Sequence, residues 1–534
     1  MRIRKRMAPV AGALAIALAV TACSSSGDDS GGGGESGGTG GTELTVAWAD
    51  NPAPINPATT SQQNTASIAR NILDGLVFLS QDLKITPHLA KSWTVAPDGL
   101  SYTFELRDDV KFHDGTPFNA QAVVDNITYI ADPATKSTVA VGLLGPCKTA
   151  TADSEFQVTI KCTSKWAPLL THLGAPYLGI QSPAAIKQYG PDLGEHIVGT
   201  GPFKLQSFTP NQSVVLVRND DYNWAPEGLG TTGPAKLTKI TLNIVPNPQA
   251  RVSSLQSKQT QMIQKVPGAL YKAMQKDFTA APVPVPGLGH FASLNTAKFP
   301  TDSLAVRQAI LYSVDRKAVV DLAEAGAFPP SNSVLQEGTL GYDASLTSLY
   351  PPDPAKAAEL LQGDGWVKNG EFWQKDGKNL TISIGAFSDV AQYMNLAQAI
   401  QAQLKAAGID AQIEQQGRAA YLDAAAKGSN NLTPTSYLGL DPVALGQWFT
   451  KGSLFNWSKY SDDELTGLLT QAQEENDLTK RLDLYSQVQK IVMEKALILP
   501  ERPDSDLVLV AKNLQGFSYS GGGYESFYGA SLSS

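Results

Sequence analysis

The sequence predicts an α/β protein with more than one sheet, folded as two or three lobes. Two observations lead there. The chain has 534 residues, and the roughly 490 that follow a leader and a tether exceed what one hydrophobic core usually spans. Strand-like and helix-like periods also alternate along that whole length, with no evident internal repeat.

The leader comes first. Arg2, Arg4, Lys5 and Arg6 precede an Ala-rich apolar run from Met7 to Val20, long enough for a signal-peptide core and short for a membrane span. Val20-Thr21-Ala22-Cys23 resembles a bacterial lipobox, in which the leader is removed and Cys23 is diacylated. No adjacent Arg pair is present, which favours a Sec route. Two acyl chains anchor a protein stably. The next 18 residues, SSSGDDSGGGGESGGTGG, lack apolar surface to bury and read as a tether reaching about 23 Å. The expected location is therefore the extracellular face of the cell membrane, held by lipid.

Residues 44–49 read as an apolar strand, and 66–76 have helical spacing. Residues 102–106 and 110–112 are strand-like around a turn at Arg107-Asp108-Asp109, and 120–130 are helical. Strands are expected at 213–218 and 240–245, joined by a Gly/Pro-rich loop over 225–235. Helices follow at 306–314, 316–322 and 354–361, the last with Pro354 at its start, where proline is favoured. Residues 380–384, 393–407 and 410–416 read strand, helix, strand, a βαβ unit. Two amphipathic helices, 462–473 and 480–495, close the pattern.

Outside the cytoplasm the remaining cysteines, Cys147 and Cys162, are expected to pair. The residues between them alternate about Asp153-Ser154-Glu155 as a hairpin would. With Ser154 and Glu155 as the turn, Thr151 faces Val158 and Cys147 faces Cys162, close enough to bridge.

Charge and motifs narrow the function. The net charge is −8, and −12 without the four basic leader residues, which argues against nucleic acid. The five histidines form no HExxH or His/Cys cluster, and no GxSxG is present. The stretch Gly228-Leu229-Gly230-Thr231-Thr232-Gly233 matches GxGxxG, but a strand-like run follows it rather than the helix a phosphate site needs. No catalytic residue, metal or cofactor is assigned.

Three segments carry a family resemblance: LAKSWTVAPDGLSYTFELRDDVKFHDGTPFNAQAVVDNITY from Leu89, VGTGPFKLQSFTPNQSVVLVRNDDY from Val198, and FASLNTAKFPTDSLAVRQAILYSVDRKAVV from Phe291. In this order they resemble the family 5 extracellular solute-binding proteins of ABC importers, which include oligopeptide-, dipeptide- and nickel-binding proteins. The resemblance runs from about Thr42 to the C-terminus, and the lipobox and tether fit a Gram-positive member. It implies a two-lobed periplasmic-binding-protein-like (type II) fold with an extra α/β domain inserted in the first lobe. The first lobe would comprise 42–78, 189–287 and 500–534, the extra domain 79–188, and the second lobe 288–499. Crossings would lie near 286–291 and 497–503, with ligand held between the lobes.

The resemblance also implies a monomer that captures an extracellular peptide by closure and delivers it to a permease pair driven by cytoplasmic ATPases. In peptide-binding members an acid in the second lobe holds the ligand amino group. Aligning Asp441-Pro442 places Leu438 there, so Asp441 is the substitute, or the ligand lacks a free amino terminus. Dipeptide members use an Arg for the ligand carboxylate, and the corresponding stretch 385–389, GAFSD, has none. Candidate ligand contacts are Ser61, Gln62, Gln63 and Asn64 in the first lobe, His290 and Phe291 near a crossing, and Tyr437, Asp441 and Trp448 in the second. An oligosaccharide or a metal chelate is the alternative ligand, although His290 has no identifiable second metal ligand. An anchored secreted hydrolase, or an adhesion or chaperone protein using the same fold, are the readings from other classes.

Overall fold

Apolar strands with polar turns between them build two principal sheets in the computed structural model, which describes residues 42–227, 229, 232–388 and 391–533. The leader, Cys23, the tether, much of the GxGxxG stretch (Gly228, Gly230, Thr231) and Asp389 lie outside the described residues. All described residues belong to one unit, 40–534, and no helix among them is long and apolar enough to cross a membrane.

The first sheet has seven strands, in the order Thr279–Ala280, Leu509–Val510, Met262–Ile263, Glu43–Trp48, Lys239–Ile244, Ser213–Arg218 and Phe203–Thr209. Glu43–Trp48 is central and runs parallel to both Met262–Ile263 and Lys239–Ile244. The second sheet has five strands, in the order Asp410–Gln416, Thr381–Phe387, Leu432–Leu438, Gly287–Leu294 and Ile498–Arg502. Thr381–Phe387 and Asp410–Gln416 pair in parallel with the helix Ala391–Ala406 between them, the βαβ unit read from the sequence. A third sheet, Ala90–Val95, Ser101–Leu106, Gln157–Lys161 and Thr149–Ser154, is wholly antiparallel. It packs under the helix Ala120–Ala131, whose first turn is capped by Asn119 Oδ1 accepting from the Ala122 amide at 3.1 Å.

Two of three hydrophobic clusters among the described residues give the architecture its lobes, and the third, from Ala47 and Ile263 to Val320 and Phe328, lies where they meet. One joins the seven-stranded sheet to the small antiparallel domain, from Leu44 and Trp48 through Tyr102 and Phe104 to Phe527. The other fills the five-stranded lobe, from Phe291 and Ile310 through Ile382 and Leu432 to Leu499. Many polar and charged side chains are buried with that apolar mass, among them Arg70, Asp74, Arg307, Asp441, Arg481 and Glu501, so the desolvated cores are threaded by polar networks.

The chain crosses between the lobes twice. The stretches 286–291 and 497–503, near which crossings were expected, fall largely in the paired strands Gly287–Leu294 and Ile498–Arg502 of the second sheet. The connections are 281–286 and 503–508. They run side by side, with the Ala281 amide donating to the Val508 carbonyl at 2.9 Å and the Val283 amide to the Asp506 carbonyl at 3.0 Å. Away from these crossings, the Ala167 amide of the antiparallel domain donates to the Gln473 carbonyl of the second lobe at 3.0 Å.

Residues 110–112 hold only an isolated bridge from Lys111 to Pro117 rather than a strand, and two further local expectations change. The first helix spans only Gln63–Ala69 rather than reaching 76. The carbonyls beyond it are taken by other segments: Asn71 by the Phe203 amide, Ile72 by Gly201, Asp74 by Ile180 and Gly75 by Leu89. A helix cannot continue when its acceptors are already bonded elsewhere. In the hairpin the turn is Glu155-Phe156, and Ala152 rather than Thr151 faces Val158. A bulge between Ala152 and Ser154 absorbs Asp153 and shifts the ladder by one residue. Cys147 and Cys162 lie beyond the end of that ladder and are joined by a disulfide.

Candidate functional site

In open α/β sheets, ligands sit in the crevice outside the carboxyl ends of parallel strands. Here three parallel strands end together: Glu43–Trp48, Lys239–Ile244 and Met262–Ile263. A cavity of about 340 Å³ lies at those ends. Trp48, Asp50 and Asn51 line it from the first strand, and Gln264 and Lys265 from the third. The start of the helix Gln63–Ala69 contributes Gln62, Gln63, Asn64 and Ser67. Val283 and Asp506 bring in both crossings, and Gly523 and Glu525 come from the C-terminal segment.

Charge is concentrated in this cavity. Lys265 Nζ stands 2.5 Å from Asp50 Oδ2. Glu525 is buried, and its carboxylate accepts from Ser67 Oγ and Gln264 Nε2. Burial pushes the Glu525 carboxyl up to about 7, against the lowering effect of those bonds. Beside the cavity, Asp504 Oδ1 faces His290 Nε2 at 3.4 Å. Burial would raise the Asp504 carboxyl, but His290, a Ser436 hydrogen bond and the Arg502 charge outweigh it and hold the group at about 2.

The structure separates the predicted ligand residues into three groups. Gln62, Gln63 and Asn64 line the cavity, while Ser61 is exposed outside it. Gln62 Oε1 accepts from the Ala53 amide at 2.9 Å, and Gln63 Nε2 donates to the Gly522 carbonyl at 3.2 Å. These bonds fix the two amides at the cavity wall. His290 and Tyr437 stand on adjacent strands of the second sheet. The His290 ring centre lies 5.2 Å from that of Tyr393. Tyr437 is half-buried and donates to Gln447 Oε1 at 2.7 Å.

Phe291, Trp448 and Asp441, also expected to contact ligand, are buried in the second lobe and do not line this cavity. Phe291 is fully buried, edge-on to Trp448 with ring centres 5.1 Å apart. Trp448 also meets Tyr437, Phe455 and Trp457, so it is the hub of an aromatic core. Asp441 is 1 % exposed. One carboxylate oxygen binds Arg481 and also accepts from the Val443 amide at 2.9 Å. It is spent on the lobe's own packing.

Most of the cavity was not predicted. Asp50 and Lys265 follow short apolar strands, a local signal that marks strand ends but not which ends converge. Glu525 meets Ser67 across 458 positions of sequence, and no local pattern announces such a contact.

Comparisons with known proteins agree with this fold. The family model described as "Bacterial extracellular solute-binding proteins, family 5 Middle" matches residues 84–453. The glutathione-binding protein GsiB of Escherichia coli O1:K1 is 29 % identical over 491 residues, covering 89 % of this chain and 91 % of that protein. Among solved structures, NikA of Brucella suis in complex with Fe(III)-EDTA superposes with a TM-score of 0.82 at 24 % identity, over 92 % of this chain and 99 % of that one. DppA of Helicobacter pylori in complex with the peptide STSA superposes with a TM-score of 0.73 at 24 % identity, over 93 % and 99 %.

Proposed function

The chain belongs to the family 5 bacterial extracellular solute-binding proteins of ABC transporters, and from that premise we propose that it is a lipid-anchored receptor for extracellular peptides. In this reading a diacylated Cys23 holds the protein at the outer membrane face, and the tether lets the body search nearby solution. A short peptide enters the cleft, and its contacts with both lobes favour the closed form. Only a difference in affinity between open and closed states can drive that closure. The closed protein, a monomer, then hands its ligand to a membrane permease pair powered by cytoplasmic ATPases.

One observation carries the proposal: the amide- and acid-lined cavity lies at the carboxyl ends of parallel strands and is bordered by both crossings. Side-chain amides such as Gln62, Asn64 and Gln264 can satisfy the peptide bonds of a ligand, whose own donors and acceptors must be paired once desolvated. The names of two relatives point the same way, since glutathione is a tripeptide and STSA a tetrapeptide.

Uptake tests the reading. A strain lacking this protein should lose most accumulation of a labelled tripeptide mixture and regain it with the wild-type chain. Unchanged uptake of every peptide tried would contradict the proposal.

A further inference from the structure

We infer that the antiparallel domain is half of a latch: with the lobes shut it grips the second lobe away from the crossings, and it prolongs the closed form without touching the ligand. The inference goes beyond the peptide reading and holds for any solute the cleft takes.

The lobes are tied covalently at 281–286 and 503–508, so contact near those crossings is what a hinge requires. Contact elsewhere is not. The described form is shut, since Leu440 of the second lobe is buried against the first lobe's cluster. In the second lobe the short connection 475–477 joins the helices Asp463–Glu474 and Leu478–Glu494. It lies against the antiparallel domain. The Ala167 amide donates to the Gln473 carbonyl at 3.0 Å. Asn476 Oδ1 stands 3.4 Å from the Tyr102 hydroxyl, which itself donates to the Trp166 carbonyl at 2.9 Å. Gly99 admits this approach. Its φ is +70°, and a Cβ there would stand 2.8 Å from Asn476 Nδ2, so the missing side chain leaves the room that Asn476 occupies. In the same interface His172 feels the charges of Asp441 and Arg481, and Tyr102 that of Arg481. None of Gly99, Tyr102, Ala167, Gln473 and Asn476 lines the ligand cavity.

A contact made only in the shut form adds to its stability whatever is bound. Apparent affinity scales with the population of the competent state, so such a contact changes it by one factor for every ligand. The cleft then sets which solute is chosen, and the latch how firmly it is kept. Asn476 is exposed, so the grip is light, and a light grip lets the lobes reopen for release.

Asn476→Trp tests this by placing bulk where the latch closes. The position is exposed, and Asp477 rather than Asn476 caps the following helix, so the fold should be kept. Hydrogen exchange of the full-length protein without ligand, resolved to single residues, reads the Ala167 amide. Its exchange should rise at least tenfold in the variant, while Thr149–Ser154 and Gln157–Lys161 stay as protected as in wild type. Small-angle scattering should show a larger radius of gyration. From an equimolar tripeptide mixture, every peptide that wild type holds should dissociate three- to tenfold faster, with the ranking unchanged. An Ala167 amide unprotected in wild type, or equally protected in the variant, would overturn the inference. So would an unchanged radius, a changed ranking, which puts Asn476 at the ligand, or a rise spread through both strands, which is local unfolding. Wild type retaining no tripeptide would contradict the peptide reading alone, and exchange and scattering would still decide on the latch.

Discussion

Arg481 and Asp441 form an ion pair inside the second lobe, with side chains 4 % and 0 % exposed. Arg481 also donates through Nε to the Ala472 carbonyl at 3.1 Å, and its charge lies 5.4 Å from the Tyr485 ring centre. Asp441 is therefore a structural residue, and its loss should be felt in stability before binding. Removing one partner of a buried pair costs about 3–5 kcal/mol because the other charge remains uncompensated. Asp441→Asn should lower unfolding stability on that scale in a denaturant titration. Peptide affinity of the folded fraction should stay within threefold.

The disulfide between Cys147 and Cys162 closes a loop with a sequence separation of 15. On the chain-entropy account such a loop contributes about 3 kcal/mol. The double variant Cys147→Ser, Cys162→Ser should open the antiparallel domain at lower denaturant. Hydrogen exchange should rise first in Thr149–Ser154 and Gln157–Lys161.

Glu501 gives a pH signature. It is 1 % exposed, with neither carboxylate oxygen hydrogen-bonded. Burial raises its carboxyl from 4.5 to about 8, with Arg502 pulling the other way. A group raised in the folded state contributes stability that is complete below its unfolded pKa and lost as pH rises through the folded one. Stability should therefore fall as pH climbs from 4.5 through 8, by about 2–3 kcal/mol between pH 6 and pH 9. Glu501→Gln should flatten that fall in thermal melts. Glu525, raised to about 7, adds to the same direction and would leave a residual slope. Asp504 acts oppositely: its stabilisation is present above 3.8 and lost as pH falls through about 2.

Cys23→Ala should release the protein from membranes into the medium, with the wild-type chain partitioning into the detergent phase. Equal partitioning of both would contradict the lipid anchor.

The fold was legible where function had left segments intact as local patterns. Ser213–Arg218 and Asp410–Gln416 match their expected boundaries because alternation and turn residues alone define them. The helix expected through Leu76 ends early because distant segments take the carbonyls of Asn71, Ile72, Asp74 and Gly75, and the Asp74 side chain is likewise engaged far from its own segment. Its carboxylate accepts from Thr200 Oγ1 at 3.0 Å and Trp224 Nε1 at 3.1 Å, partners far away in sequence. The candidate site was half legible for the same reason. Gln62 to Asn64 are contiguous and polar, so they stand out. Asp506, Lys265 and Glu525 converge only once both crossings and the C-terminal segment are in place.

Native mass spectrometry of the protein purified from its producing cells tests the central claim most directly. The account predicts added mass that, on denaturation, resolves into a set of short peptides. A single oligosaccharide or other non-peptide mass would contradict it.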